Sequence, residues 1–168
     1  TEDILPTALI AKSQRGEKKE DLSLDSQTTE FELCNLKIIE VREGGVGDRV
    51  CIDLTSMLEI GEGMLIGSSA SSMALVHGET IESEFVPTRP FRVNAGAAHS
   101  YILMADGTTK YLSELKMGDE VMVIGTNKTS YNAVVGRVKI EKRPFILFRW
   151  EDENHNEAGA LLQQAETV

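Results

Sequence analysis

The chain has 168 residues, of which 41% are hydrophobic, 26% charged and 5% aromatic, a composition that supports one compact domain with a sizeable apolar core. Lys and Arg number 17 against 27 Asp and Glu, a net charge of −10, which repels a phosphate backbone or an acidic bilayer and excludes nucleic acid and membrane surfaces as partners. Apolar runs such as Val121-Met122-Val123-Ile124 fall far short of the ~18 residues that span a bilayer as a helix.

The chain opens at Thr1 without a methionine or a basic leader and reads as a piece of a longer polypeptide. Ile4, Leu5, Ala8, Leu9 and Ala11 recur near helical spacing, with Thr1 ahead of Glu2 and Asp3, so one short helix is expected within 1–13. Residues 14–29 are mostly polar, with Leu22 and Leu24 to bury, and are expected to form a flexible linker.

From residue 30 to 168 the pattern becomes short runs of Val, Ile, Leu and Met broken by Gly, Asp, Pro or Asn, which predicts a mainly all-β domain. Strands are expected near 31–42, 48–54, 63–67, 73–80, 91–95, 99–105, 109–112, 120–125, 131–141, 145–151 and 158–167. Asp106-Gly107 and Asn127-Lys128 mark turn tips, and 113–117 suit a single helical or 3₁₀ turn.

The body also repeats. Ser56, Leu58 and Gly61 recur as Ser113, Leu115 and Gly118, each 57 positions later, and Arg89-Pro90-Phe91 recurs as Arg143-Pro144-Phe145. Two repeated β units, about 48–95 and 106–150, are therefore expected to pack as a barrel or sandwich, since neither buries both faces alone. The copies diverge after Arg-Pro-Phe: the first reads Arg92-Val93-Asn94-Ala95-Gly96-Ala97-Ala98-His99, the second the apolar Ile146-Leu147-Phe148.

That divergence directs attention to Arg89 and Arg92 as forked cations for a small anion, with Asn94 beside them. Each arginine has a plainer reading as the partner of a nearby Glu, such as Glu82 or, for Arg143, Glu141. His77 and Glu79 lie two apart and share a strand face, where they either exchange a proton or serve structure. His99, in the polar loop, is a second proton-transfer candidate, and Lys110 with Tyr111 a base or iminium former and an acid. Ser68 and Ser69 belong to a cluster of small donors able to hold a carboxylate or phosphate oxygen. Gly61-Glu62-Gly63-Met64-Leu65-Ile66-Gly67 lacks the third glycine and the following helix of a dinucleotide loop. Cys34 and Cys51 have no CxxC spacing, so no metal site is expected and a reducing compartment is.

Several stretches carry a family resemblance: Gly47-Asp48-Arg49-Val50-Cys51, Arg89-Pro90-Phe91-Arg92-Val93-Asn94-Ala95-Gly96, Lys110-Tyr111-Leu112-Ser113-Glu114-Leu115 and Gly136-Arg137-Val138-Lys139-Ile140-Glu141. In this order, from residue 31 onward, the chain resembles the C-terminal part of 3-dehydroquinate synthase of the second type, an archaeal NAD-dependent family with plant and algal relatives. The resemblance implies oxidative deamination of 2-amino-3,7-dideoxy-D-threo-hept-6-ulosonate by NAD and ring closure to 3-dehydroquinate, an entry step to the shikimate pathway of aromatic amino acid biosynthesis. It also implies a small anionic substrate, an N-terminal region of the same polypeptide as partner, and a cytoplasmic or, in a photosynthetic eukaryote, plastid location. Gln163-Gln164-Ala165-Glu166 departs mildly from the Gln-Asn-Ala-Glu expected there. A non-catalytic β module, or a diverged homologue of another role, is the competing reading.

Overall fold

The structure, a computed structural model, describes residues 9–12, 32–166 and 168. It is built from strands: β1 (Leu9–Lys12), β2 (Glu32–Asn35), β3 (Lys37–Leu54), β4 (Glu62–Ser69), β5 (Ser72–Glu79), β6 (Arg89–Ala97), β7 (Tyr101–Leu103), β8 (Thr109–Tyr111), β9 (Glu120–Gly125), β10 (Ser130–Glu151) and β11 (Glu157–Gln163), with one 3₁₀ turn at Leu112–Glu114. Each pairing is antiparallel, and β4, β5, β6, β3, β10 and β9 pair in a ring that returns to β4. Of the expected barrel or sandwich, the ring makes the closed form, which removes the edges that a six-stranded open sheet would expose.

Alternation along the ring explains the core. Val50, Ile52 and Leu54 of β3, Met64 and Ile66 of β4, and Val76 of β5 point inward. Val93 and Ala95 of β6, Val121 and Val123 of β9, and Ala133 and Val135 of β10 meet them in the same cluster. Every second side chain points into this cluster, as a period of two requires, and many of the alternate ones are buried on the opposite face. A satellite cluster of Leu65, Met73, Leu103, Met122 and Ile124 uses the other face of β4, β5 and β9, under β7. A third gathers Leu36, Ala74, Trp150 and Ala160, where the Trp150 Nε1–H donates to Ser72 Oγ at 3.1 Å.

The two repeat copies build the same turn. Gly61 and Gly118 both hold φ at 92°, a left-handed conformation that glycine adopts without a Cβ clash. Glu62 N–H donates to Glu59 O at 3.1 Å, and Asp119 N–H to Lys116 O at 3.1 Å. The carboxylates reach back likewise, Glu62 Oε2 accepting from Glu59 N–H at 2.8 Å and Asp119 Oδ2 from Lys116 N–H at 2.9 Å. Leu58 and Leu115 are the buried anchors of these turns.

Three expectations need correction. Over Leu9–Lys12 the chain is a strand, not a helix, because it pairs with Glu32–Asn35 and, through Ile10, with Ala74; tertiary pairing overrides a weak local periodicity. Residues 1–8 of that expected helix, and the linker at 14–29, lie outside the described residues. The strands expected at 31–42 and 48–54 are β2 and one continuous β3, and those at 131–141 and 145–151 merge into β10. Gly44-Gly45 and Pro144 look like breakers, but the β3–β10 ladder runs past them through a bulge, pairing Pro144 with Val46 and then Ile146 with Glu43. A bulge is where a strand tolerates proline.

Candidate functional site

Cross-strand pairs share a face, and the registers of β6, β3 and β10 stack three rows on the face opposite the barrel core. Arg92, Asp53 and Arg137 form the first row, Asn94, Cys51 and Lys139 the second, and Arg49 with Glu141 the third. Arg92 donates Nε and Nη2 to Asp53 at 2.7 and 3.0 Å. Arg137 approaches from the other side, with Nε 2.7 Å and Nη2 2.5 Å from Asp53 Oδ2. Burial pushes the Asp53 carboxyl up, but hydrogen bonds from Arg92 and then Arg137 outweigh it and hold the group below the usual range.

In the third row Arg49 donates to Glu141 Oε2 at 2.8 Å, and Glu141 also receives Arg143 at 3.1 Å and Lys139 at 3.3 Å. The Gln163 side chain, from β11, accepts from both Arg49 and Asn94 and so ties the third row to the second. Asn94 is buried, and its Oδ1 has no hydrogen bond among the described residues. Cys51 sits in the middle of the face, fully buried, and burial pushes its thiol up. Such a thiol is inert at neutral pH.

The remaining candidates fall elsewhere. Arg89 pairs with buried Glu79 at 3.2 Å, not with Glu82. His77 Nε2 accepts the Gly61 N–H at 2.7 Å and so pins the first repeat turn. His99 is exposed beyond the end of β6, over a small hollow shared with Val46, Asp48, Ala98, Phe145 and Leu161. Lys110 is paired to Asp119 at 3.2 Å. Tyr111 stacks on Tyr101 with ring centroids 4.7 Å apart, and the two hydroxyls lie 3.1 Å from each other. Ser69 bonds Ser71 in the exposed β4–β5 turn, next to Ser68. Among the described residues no hydrogen bond or ion pair ties His99, Lys110, Tyr111, Ser68 or Ser69 to the arginine row.

The sequence singles out Arg89, Arg92 and Asn94, and Glu141 as the partner of Arg143, a pairing the structure forms at 3.1 Å, but it does not single out Arg49, Asp53, Arg137 or Gln163. Their partners come from strands far apart in the chain, so no local spacing signals them. The Gly136-Arg137-Val138-Lys139 stretch offered the one hint, alternating cations on a strand. A wide hollow on another side, lined in part by Glu32, Asp106, Asp152, Glu153 and Glu157, is acidic and unsuited to an anion.

Comparison with known proteins gives this face its context. The family model of the 3-dehydroquinate synthase II C-terminal domain matches residues 35–168. A protein of Methanococcus maripaludis (strain C5) named 3-dehydroquinate synthase is 47% identical over 167 residues, 99% of this chain and 44% of the relative. Relatives of the same name from Natronomonas pharaonis and Cenarchaeum symbiosum are each 50% identical, over 83% and 84% of the chain and 37% and 41% of their own lengths. No solved structure matches. The chain spans less than half the length of these curated relatives. On the extent of the match and the level of identity, the chain belongs to the 3-dehydroquinate synthase II family and carries that family's C-terminal domain.

Proposed function

We propose that the full-length polypeptide containing this domain converts 2-amino-3,7-dideoxy-D-threo-hept-6-ulosonate to 3-dehydroquinate, with NAD as oxidant, and that this domain supplies contacts to the substrate. The observation that carries the reading is the match of residues 35–168 to the C-terminal domain of enzymes named for that product. Its chemistry asks the protein for a cation opposite a carboxylate, a group that moves protons, and a nicotinamide acceptor.

The first requirement suits the face of β6, β3 and β10, where Arg92 and Asn94 lie side by side with Arg89 at the start of the same strand. For proton transfer His99 is the exposed imidazole nearest in sequence to that strand, whereas His77 is engaged by the Gly61 turn and Glu79 by Arg89. Lys110 and Tyr111 would act only by exchanging Asp119 and Tyr101 for substrate.

The described residues do not fit a dinucleotide. Gly61-Glu62-Gly63 leads into β4 instead of a helix, and a Cβ on Gly63 would lie 2.0 Å from Val76 O, so that glycine serves close strand packing. The helical element among the described residues is the single turn Leu112–Glu114, too short to present a phosphate site. We therefore propose that NAD binds the rest of the polypeptide.

The test is direct: full-length protein is mixed with NAD and the amino-ulosonate, and NADH and 3-dehydroquinate are followed together. Equal amounts of both are expected. Protein that is folded, yet forms neither product, would sink the enzyme reading in favour of a diverged homologue.

A further inference from the structure

Five cations, Arg49, Arg92, Arg137, Lys139 and Arg143, share the outer face of β6, β3 and β10 with two carboxylates, Asp53 and Glu141, and at its β5 border buried Glu79, paired to Arg89, lies near enough to act on Arg92. This positive excess stands in a chain of net charge −10, so the face is a local attractor for an anion. The cations are not equally available. Arg49 has one Nη on Gln163 and the other on Glu141, Arg143 has one on Lys142 O and the other on Glu141, and Lys139 is paired to Glu141 as well.

The first row is different. Arg92 and Arg137 each turn Nε and Nη2 to Asp53, and Nη1 of both has no partner among the described residues. Two guanidiniums on one carboxylate leave one positive charge. Arg92, with its side chain 11% exposed, is fixed by bidentate pairing, and Arg137, at 63%, is open to solvent. Arg92 comes from the first repeat copy and Arg137 from the second, so the pair exists only where the copies meet.

We propose that Arg92 and Arg137, held as a two-armed fork by Asp53, bind the carboxylate of a small organic acid, with Lys139 in the next row adding positive charge. A planar carboxylate matches the geometry of guanidinium donors better than a lone ammonium does. The assignment rests on the reading of the full-length protein as acting on an amino-ulosonate, whose carboxylate would be the group bound. Asp53 is a positioning residue: without it, two adjacent guanidiniums would repel and Arg92 would be a mostly buried charge without its paired carboxylate.

The experiment uses the full-length protein and its Arg137→Ala, Arg137→Lys and Lys142→Ala variants, titrated calorimetrically with 3-dehydroquinate, with citrate and with NAD. Arg137 and Lys142 are exposed, so these changes spare the core, and circular dichroism and thermal melts verify that each variant folds. Arg137→Ala is expected to weaken 3-dehydroquinate binding about 10- to 100-fold, the range of a lost charge-assisted hydrogen bond. Arg137→Lys should recover part of this loss, and Lys142→Ala, paired to Asp48 away from the fork, should change nothing. NAD affinity should stay constant throughout. If Arg137→Ala weakens NAD instead, the bound oxyanion is a phosphate and the proposal is overturned. If wild-type protein ignores 3-dehydroquinate but binds citrate through Arg137, the carboxylate site stands and the enzymatic reading falls. Wild-type protein that binds neither acid, or Arg137→Ala protein that binds both as wild type does, overturns the site.

Discussion

Gly61 and Gly118, 57 residues apart, adopt the same left-handed φ of 92° and close the same carboxylate-capped turn, yet their surroundings differ. A Cβ on Gly61 would meet Thr126 Oγ1 at 2.8 Å, whereas one on Gly118 meets nothing within 4 Å. Gly118→Ala should therefore cost only the left-handed backbone penalty, about 1–2 kcal/mol. Gly61→Ala should cost more, because Thr126 must also shift. Urea unfolding of the two variants checks the order, and equal losses would count against the steric difference.

Asp53→Asn leaves the mostly buried Arg92 without its paired carboxylate, with Glu79 the other negative charge acting on it, and a broken buried pair typically costs about 3–5 kcal/mol. Arg137→Ala removes a mostly exposed partner and should cost under ~1 kcal/mol. Arg92→Ala should lower stability as well as ligand affinity, since Arg92 is part of a buried pair and not a free surface cation. Chemical denaturation of the three variants gives the ranking directly; an Arg137→Ala loss as large as that of Asp53→Asn would overturn it.

The same carboxylate sets a pH dependence. Burial opposes ionisation of Asp53, but its arginine hydrogen bonds prevail and its folded-state pKa lies below the unfolded value. The stabilisation is thus fully present above the unfolded carboxylate pKa of ~3.9 and is lost as pH falls through the folded value. Thermal melts of wild type and Asp53→Asn should differ by a constant amount near neutrality and converge in acid. A gap that widens on acidification would contradict this sign.

His77 is expected to act through structure. His77→Ala removes the acceptor of the part-buried Gly61 N–H and should lower stability by about 0.5–1.5 kcal/mol, the net worth of one such hydrogen bond. Activity of the full-length protein per folded molecule should be unchanged. A large fall in kcat at unchanged stability would return His77 to the chemistry.

The chain has a single tryptophan, and its indole N–H is buried against Ser72. Ser72→Ala should destabilise by about 1–3 kcal/mol and alter the fluorescence of Trp150, which reports on the seam between β5 and the far half of β10. Unchanged emission and stability would mean that the hydroxyl is dispensable.

Much of the fold was legible because its signals are local. Alternating Val, Ile and Met residues marked β4, β5 and β9, and Asp106-Gly107 and Asn127-Lys128 do form tight turns, with Gly107 and Lys128 at positive φ. What escaped was non-local. Pro144 and Gly44-Gly45 read as strand ends until the β3–β10 pairing carries both strands past them. Leu9–Lys12 follows its partners and not its own weak helical period. Arg92 stood out by the asymmetry of the repeat, but Asp53 and Arg137 are ordinary strand residues until three strands set them in one row. His77 shows the converse case, a residue of catalytic type whose ring nitrogen is occupied by a turn.

The long β3–β10 ladder also orders the events of folding. β3 runs into the start of the first repeat copy and β10 follows the turn of the second, with Asp48 and Lys142 paired across 94 residues. Neither copy can close the ring alone, so loop-closure entropy must be met before the largest interface forms. Such high contact order places refolding in the slow, millisecond-to-second range of β proteins. During synthesis β3 must wait for β10 as an unpaired edge, which makes this pair of strands the point at which an emerging chain is most exposed to aggregation.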